Sequence, residues 1–451
     1  MDTLLQDLRY ALRTLRTSPS FSLAAVLTLA VGIGAGTTVF SVINTVLLRP
    51  LPFPDAERLQ LVWTRSEDAQ ESWLSHPEWM DLRERSSAFS DLAALRDFSF
   101  AATGGQEPEQ LPALAVSSNL FSMLGVQPLL GRSFLPEEDR DGAGKTVLLS
   151  HGYWQRRFGG SPRAVGTAIM LDGEPHTVVG VLPAGFRHLP PSSVFPRDAA
   201  VLVPLEPMLG TGFLRGRDVR HLHVIGRLKP GVTAAQAQAD VQGIAAQLRQ
   251  EHSGTYAASS WGMTAVGYQE YVVRGVRPAL LMVFGAVGFL LLLAAVNVAN
   301  LLLVRHTVQA REMAVRSALG APRSRLVRLR LFESLLLALL GGTAGVLIFE
   351  MGVQVLRAVG PANLPRLDEL SLDGRVFGFA FLLAVVLAVG FGVFLAMRTP
   401  GEGEDHLLRG SSRGISSGRT HARTRRMLEV SQIALAAGLL IGTGLLLKSL
   451  S

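Results

Sequence analysis

The chain has 451 residues, no cysteine, 48% apolar residues and only 18% charged ones, with a formal net charge of +7. Soluble domains carry about a quarter charged residues, so part of this chain has lipid as its solvent. The lack of cysteine excludes a disulfide framework, a zinc–thiolate site and a thiol nucleophile.

Residues 1–20 open with Leu4, Leu5, Leu8, Leu12 and Leu15 near helical spacing and Arg9, Arg13 and Arg16 beside them. That pattern predicts an amphipathic helix at a membrane interface. Residues 21–48 hold no charged side chain. They exceed the roughly 20 residues that cross a hydrocarbon core of about 30 Å, and they are too long for a cleaved leader, so they predict a first span. Pro50, Pro52 and Pro54 mark its exit as extended chain.

Residues 49–277 then read as one α+β domain. A strand is predicted at 59–63 and a helix at 78–95, with Trp79, Leu82, Phe89 and Leu92 on one side. Strands follow at 145–150, 168–171 and 177–182, with the hairpin dipeptide Asp172-Gly173 between the last two. Residues 183–207 are proline-rich and irregular. His221 to Leu228 alternates as a strand, Lys229-Pro230-Gly231 turns, and Thr233 caps a helix that places Val241, Ile244, Ala245 and Leu248 on one face. A strand at 263–273 is expected to lead straight into the second span. The two ends of the domain together predict one subdomain near the membrane, with a strand-rich insertion at about 110–215.

Further spans are expected at 278–304, 331–356, 376–397 and 430–447, five in all with the first. The segment 305–330 carries Arg305, Arg311, Arg316, Arg323, Arg325, Arg328 and Arg330 against Glu312. Residues 398–429 are also arginine-rich, whereas 357–375 is balanced. Positive-inside bias puts the N-terminus, 305–330 and 398–429 in the cytoplasm and 49–277 outside it, with a consistent alternation for every span. The fold class is therefore a helical transmembrane bundle with an α+β extracytoplasmic domain inserted between spans one and two.

Chemical motifs are sparse. Gly142-Ala143-Gly144-Lys145-Thr146 resembles the end of a phosphate-binding loop, but Asp139 stands where a glycine is needed and a strand follows instead of a helix. His221 and His223 share a strand face without an evident third ligand, and Glu137-Glu138-Asp139 reads as a solvated loop. No catalytic residue, cofactor site or metal site is expected, and no nucleic-acid partner. Gly32, Gly34 and Gly36 in the first span and Gly341 and Gly345 in the third give small-residue faces for close helix packing. Glu350 lies inside a span and is expected to face protein or water.

After the second span the chain reads Arg311-Glu312-Met313-Ala314-Val315-Arg316-Ser317-Ala318-Leu319-Gly320-Ala321-Pro322. This rhythm predicts a short basic helix ended by Gly320; from the residues alone it is either a docking element or a plain basic loop. The stretch resembles the cytoplasmic loop of MacB-like and FtsX-like ABC transporter permeases, which carry Arg-Glu, a basic residue and then Ala-Leu-Gly-Ala. The span order resembles that family too, as do Leu149-Ser150-His151-Gly152-Tyr153-Trp154 and Leu171-Asp172-Gly173. The likeness is greatest to the large permeases that repeat this unit twice, so the chain looks like a first unit followed by the first span of a second.

The resemblance implies a bacterial inner-membrane permease subunit, N-terminus in the cytoplasm, that is not itself an enzyme. A separate cytoplasmic ABC ATPase would touch Arg311, Glu312, Arg316, Leu319 and Gly320 on the coupling loop and drive export or work outside the membrane. A homodimer or pseudo-dimer and a partner protein outside the membrane are also implied. The alternative class is a membrane-anchored ligand sensor or regulatory fragment.

Overall fold

A computed structural model describes residues 2–66, 71–103, 108–186, 199–209, 216–256, 260–318, 323–359, 370–396, 426–427, 429–440 and 444. The chain divides into a helical unit, Met1–Arg49 with Val276–Ser451, and a sheet unit, Pro50–Gly275.

The helical unit begins with α1 (Asp2–Thr17) and α2 (Pro19–Ile43), the latter prolonged by a π-helical turn, Asn44–Leu48. Four helices among the described residues are long and apolar enough to cross a membrane: Pro19–Leu48, Arg277–Arg305, Leu331–Ala358 and Gly374–Phe394. Two of these are parts of longer helices, α8 (Arg277–Ala318) and α9 (Arg323–Val359), and the fourth lies in α10 (Gly374–Ala396). The expected fifth span is described only as a shorter apolar helix, α11 (Glu429–Leu440).

At about 1.5 Å per residue, α8 is roughly twice as long as a hydrocarbon core is thick. The segment expected as a loop is thus mostly helix, because nothing between Arg305 and Ala318 breaks one: the first glycine is Gly320 and the first proline Pro322. Residues 319–322 lie outside the described residues.

Among the described residues the sheet unit holds ten strands in one mixed sheet. In chain order they are β1 (Leu59–Arg65), β2 (Phe89–Thr103), β3 (Glu109–Val116), β4 (Leu130–Gly131), β5 (Thr146–Leu149), β6 (Ala168–Leu171), β7 (Glu174–Val181), β8 (Val201–Pro204), β9 (His223–Leu228) and β10 (Gly262–Gly267). Their spatial order is β10-β1-β9-β2-β3-β8-β5-β7-β4, with β6 pairing β2 and β7. Strands from both ends of the unit therefore form one half, and the expected insertion forms the other. The joint is the long β2–β3 ladder, from Leu95 opposite Val116 to Ala102 opposite Glu109.

Both sheet faces are buried, which is why β5 and β8 read as unbroken apolar runs. On one face Val62, Val147, Val201 and Val224 pack with Trp79 and Leu82 of α3 (His76–Arg85), Tyr153 and Trp154 of α5 (His151–Phe158) and Val241, Ile244 and Leu248 of α6 (Ala234–Glu251). Side chains one residue along the strands, among them Leu61, Leu148, Leu202 and Ile225, point the other way. They meet Phe121 of α4 (Leu120–Leu124) and Tyr268 of α7 (Tyr268–Arg274).

Two local expectations change. The helix predicted over 78–95 ends at Arg85, and Phe89 and Leu92 belong to β2. Helical spacing and core burial agree for Trp79 and Leu82, but Leu92, Ala93 and Ala94 pair with Gly226, Ile225 and Val224, and this ladder overrides the local pattern. Asp240 fixes the break by accepting from Ser86 Oγ and from Ser87 Oγ at 2.8 Å. The strand expected to reach 273 stops at Gly267, where α7 begins with its fully buried tyrosine. The hairpin at Asp172-Gly173 forms with both residues at positive φ, 49° and 79°. Thr233 caps α6: the Gln236 amide donates to Thr233 Oγ1 at 3.3 Å, and the Thr233 amide to Gln236 Oε1 at 2.8 Å.

Candidate functional site

In the helical unit α2 is the central element, with α8, α9 and α10 against it. The expected glycines are where backbones come closest. A Cβ on Gly341 would lie 2.6 Å from Leu29 Cβ, one on Gly345 3.2 Å from the Gly34 nitrogen, and one on Gly32 3.2 Å from Ala294 Cβ. Gly36 is looser, with only Leu383 Cδ1 at 3.6 Å. The tightest position on α2 is Gly34, whose Cβ would meet the Gly345 carbonyl oxygen and Ile348 Cβ, both at 2.8 Å. Gly34 and Gly345 thus bring α2 and α9 into backbone contact, the usual role of small residues between helices in lipid.

Polar side chains gather at the two ends of this packing. At one end Asp373 caps α10, with Oδ1 accepting from the Val376 amide at 2.9 Å, while its Oδ2 accepts from Asn44 Nδ2 at 3.2 Å. Phe40 stacks on Phe379 nearby, with centroids 4.0 Å apart.

At the other end sits Arg305, where α8 leaves its apolar stretch. Its Nη1 lies 3.1 Å from Glu333 Oε1 on α9, and both side chains are buried. Its Nη2 donates to the Thr14 carbonyl oxygen of α1 at 2.7 Å, and the guanidinium stands 4.5 Å above the Phe21 ring. Sequence reasoning counted Arg305 only as loop charge and did not single out Glu333. Their common signal was position: opposite charges just inside two consecutive apolar stretches.

Arg311, Glu312 and Arg316 lie on the last turns of α8, beyond Arg305 and in the same unbroken helix. Leu319 and Gly320 fall outside the described residues. Glu350 is exposed on the surface of α9. It is eight residues from the end of its span, Ala358, or about 12 Å.

In the sheet unit His223 Nε2 lies 3.9 Å from Asp97 Oδ2, and Trp73 packs on the His223 ring at 3.6 Å. Burial pushes Asp97 up to about 7 and His223 down to about 3. Each shift favours the neutral form, so this is not a neutral-pH ion pair. Burial also lowers His221 to about 4. Among the described residues no group of three or more His, Asp or Glu side chains is placed to hold a metal ion. The stretch at 142–146 is a turn, with Gly142 at φ 78°, leading into β5 and no helix.

Two family models match the chain: the MacB-like periplasmic core domain over residues 22–244 and the FtsX-like permease C-terminal domain over 284–399. The chain belongs to the MacB/FtsX-like permease family. The second match contains Arg311, Glu312, Arg316, Leu319 and Gly320, the residues expected to couple to an ATPase.

Among curated proteins, the macrolide export ATP-binding/permease protein MacB of Burkholderia thailandensis is 26% identical over 61% of this chain and 40% of its own. The pyoverdine export ATP-binding/permease protein PvdT of Pseudomonas syringae is 26% identical over 56% of this chain and 38% of its own. The chain thus spans about 40% of the length of these relatives. Among solved structures, the periplasmic region of MacB from Actinobacillus actinomycetemcomitans aligns with a TM-score of 0.37 and 12% identity, covering 49% of this chain and 94% of that one.

Proposed function

We propose that this chain is the permease subunit of an ABC exporter, and that it passes conformational change from a separate cytoplasmic ATPase to its own sheet unit. One observation carries the reading: Arg311, Glu312 and Arg316 stand on the same continuous helix as the second span. A displacement applied to them reaches the span without a flexible joint. The matched FtsX-like domain and the export functions named for the curated relatives support the same reading.

On this reading ATP is hydrolysed by the partner and not by this chain. Arg311 and Arg316 pair with carboxylates on the ATPase at a wet rim, each pair contributing about 1 kcal/mol or less. Leu319 is the apolar anchor and Gly320 belongs to the same contact. The N-terminus and the α8–α9 turn lie in the cytoplasm of a bacterium, and the sheet unit lies outside its inner membrane. The functional assembly holds two such bundles, as a homodimer or pseudo-dimer, and the sheet unit meets a partner protein outside. The test is copurification: Leu319→Asp and Gly320→Pro abolish capture of the ATPase while membrane insertion persists. Undiminished capture in both variants removes the turn from the interface.

A further inference from the structure

We infer that Arg305 is a positioning residue that fastens the N-terminal helix α1 to the α8–α9 hairpin, so that α1 moves with it. This inference rests on the functional reading above for the source of the motion, but not for the fastening itself.

The end of α1 has carbonyls that no further turn of helix can satisfy. Two of them find donors in the structure. The Leu15 carbonyl accepts from Ser22 Oγ of α2 at 2.9 Å. The Thr14 carbonyl accepts from Thr17 Oγ1 at 3.0 Å and from Arg305 Nη2 at 2.7 Å. The first two of these bonds are local in sequence, one to the adjoining start of α2 and one within α1. The third crosses 291 residues of sequence and is charge-assisted.

A lysine could not reproduce the arrangement. The planar guanidinium directs one nitrogen to Glu333 and another to Thr14 while its face covers Phe21 at the start of α2. One side chain therefore touches α1, α2 and α9 from α8. Leu15 adds apolar contact in the same cluster as Leu302 of α8 and Leu337 of α9. Arg305 stands six residues before Arg311 on one helix, about 9 Å along its axis, so a force on the turn meets this junction before it meets the rest of the span.

The α1 helix carries its own reporter, since Arg9, Arg13 and Arg16 are exposed tryptic sites on it. A docked helix is cut only when it opens. The full chain, purified in detergent with an N-terminal epitope, is treated with trypsin, and loss of the epitope is timed. Arg305→Gln is expected to raise that rate at least tenfold. The double variant Arg305→Met with Glu333→Leu strands no buried charge and so tests the fold separately. It is expected to stay at least fivefold faster than wild type, because the Thr14 carbonyl has still lost its distant donor.

A wild-type rate in Arg305→Gln overturns the inference. So does a double variant restored to wild-type protection, since Arg305 would then serve only to neutralise Glu333. A second arm adds the copurified ATPase with ATP and vanadate. The wild-type epitope-loss rate is expected to change, and that of Arg305→Gln not to. A wild-type rate indifferent to trapping overturns the movement of α1 with the hairpin. Failure of any ATPase to copurify with wild type sinks the functional reading instead, and leaves the fastening to be judged by the first arm.

Discussion

Gly243 and Gly34 show how differently the two units are held together. Gly243 lies within α6 of the sheet unit, and a Cβ there would meet nothing within 4 Å. Gly34 lies within α2, and a Cβ there would strike the backbone of α9. In the sheet unit, water drives large side chains such as Trp79, Phe121 and Tyr268 into two cores, and a small residue gains nothing. In the helical unit the surroundings are as apolar as the helices, so close backbone approach and a few polar junctions take over. Polar groups follow the same division. The sheet unit buries Glu78, which accepts from Arg220 Nε at 3.1 Å and Nη2 at 3.0 Å, beneath the stacked Tyr256 and Trp261. The helical unit places Arg305–Glu333 at one end of its packing and Asn44–Asp373 at the other.

The contrast is convenient to test because Trp63, Trp73, Trp79, Trp154 and Trp261 are all the tryptophans and all lie in the sheet unit, so tryptophan fluorescence reads that unit alone. The largest effect is expected from Arg220→Ala, which strands the fully buried Glu78. The sheet unit loses about 3–5 kcal/mol in denaturant unfolding followed by tryptophan fluorescence. Gly34→Ala is expected to cost the helical unit about 2–3 kcal/mol by overpacking. Its aggregation temperature in size-exclusion assays falls while the tryptophan transition stays in place.

Asp97→Asn acts through pH. The folded state holds a proton on Asp97 up to about pH 7, whereas an unfolded aspartate releases it near 3.9. Wild-type stability therefore declines between about pH 4 and 7 through this group. The asparagine variant escapes that decline and gains up to about 4 kcal/mol at pH 8 and nothing below pH 4. The neutral His221 and His223 work in the opposite sense. Their pKa values are lowered, so stability is lost as pH falls from about 6.5 towards 4 and below, in wild type and variant alike. The smallest effects concern α6. Thr233→Ala loses about 1 kcal/mol with its cap, and Gly243→Ala gains about 0.5–1 kcal/mol, opposite in sign to the same change at Gly34.

What could be read from the sequence follows the same division. The apolar stretches, the Asp172-Gly173 hairpin and the Thr233 cap with its amphipathic helix were legible, because each is a local signal that tertiary structure leaves alone. Phe89 and Leu92 were misread as helix because their partners, Gly226 and Leu228, are more than 130 residues away. The glycine faces were visible, but not that Gly34, and not Gly36, makes the tightest contact, which depends on the rotation of α2. Arg305 was noted, but only as one charge among many; only the antiparallel return of α9 pairs it with Glu333. Arg311, Glu312, Arg316, Leu319 and Gly320 were singled out by resemblance, and physics alone left them as either a dock or a loop.

The absence of cysteine makes the decisive measurement direct. A single cysteine introduced at Arg316, in a chain that has none of its own, is labelled with a thiol-reactive photo-cross-linker and irradiated in cells that also make the ATPase. A cross-link from Arg316→Cys to the ATPase, with none from Ser87→Cys in the sheet unit, is the expected result. Labelling of Arg316→Cys by a membrane-impermeant reagent applied outside intact cells, or cross-linking from Ser87→Cys instead, would contradict the account.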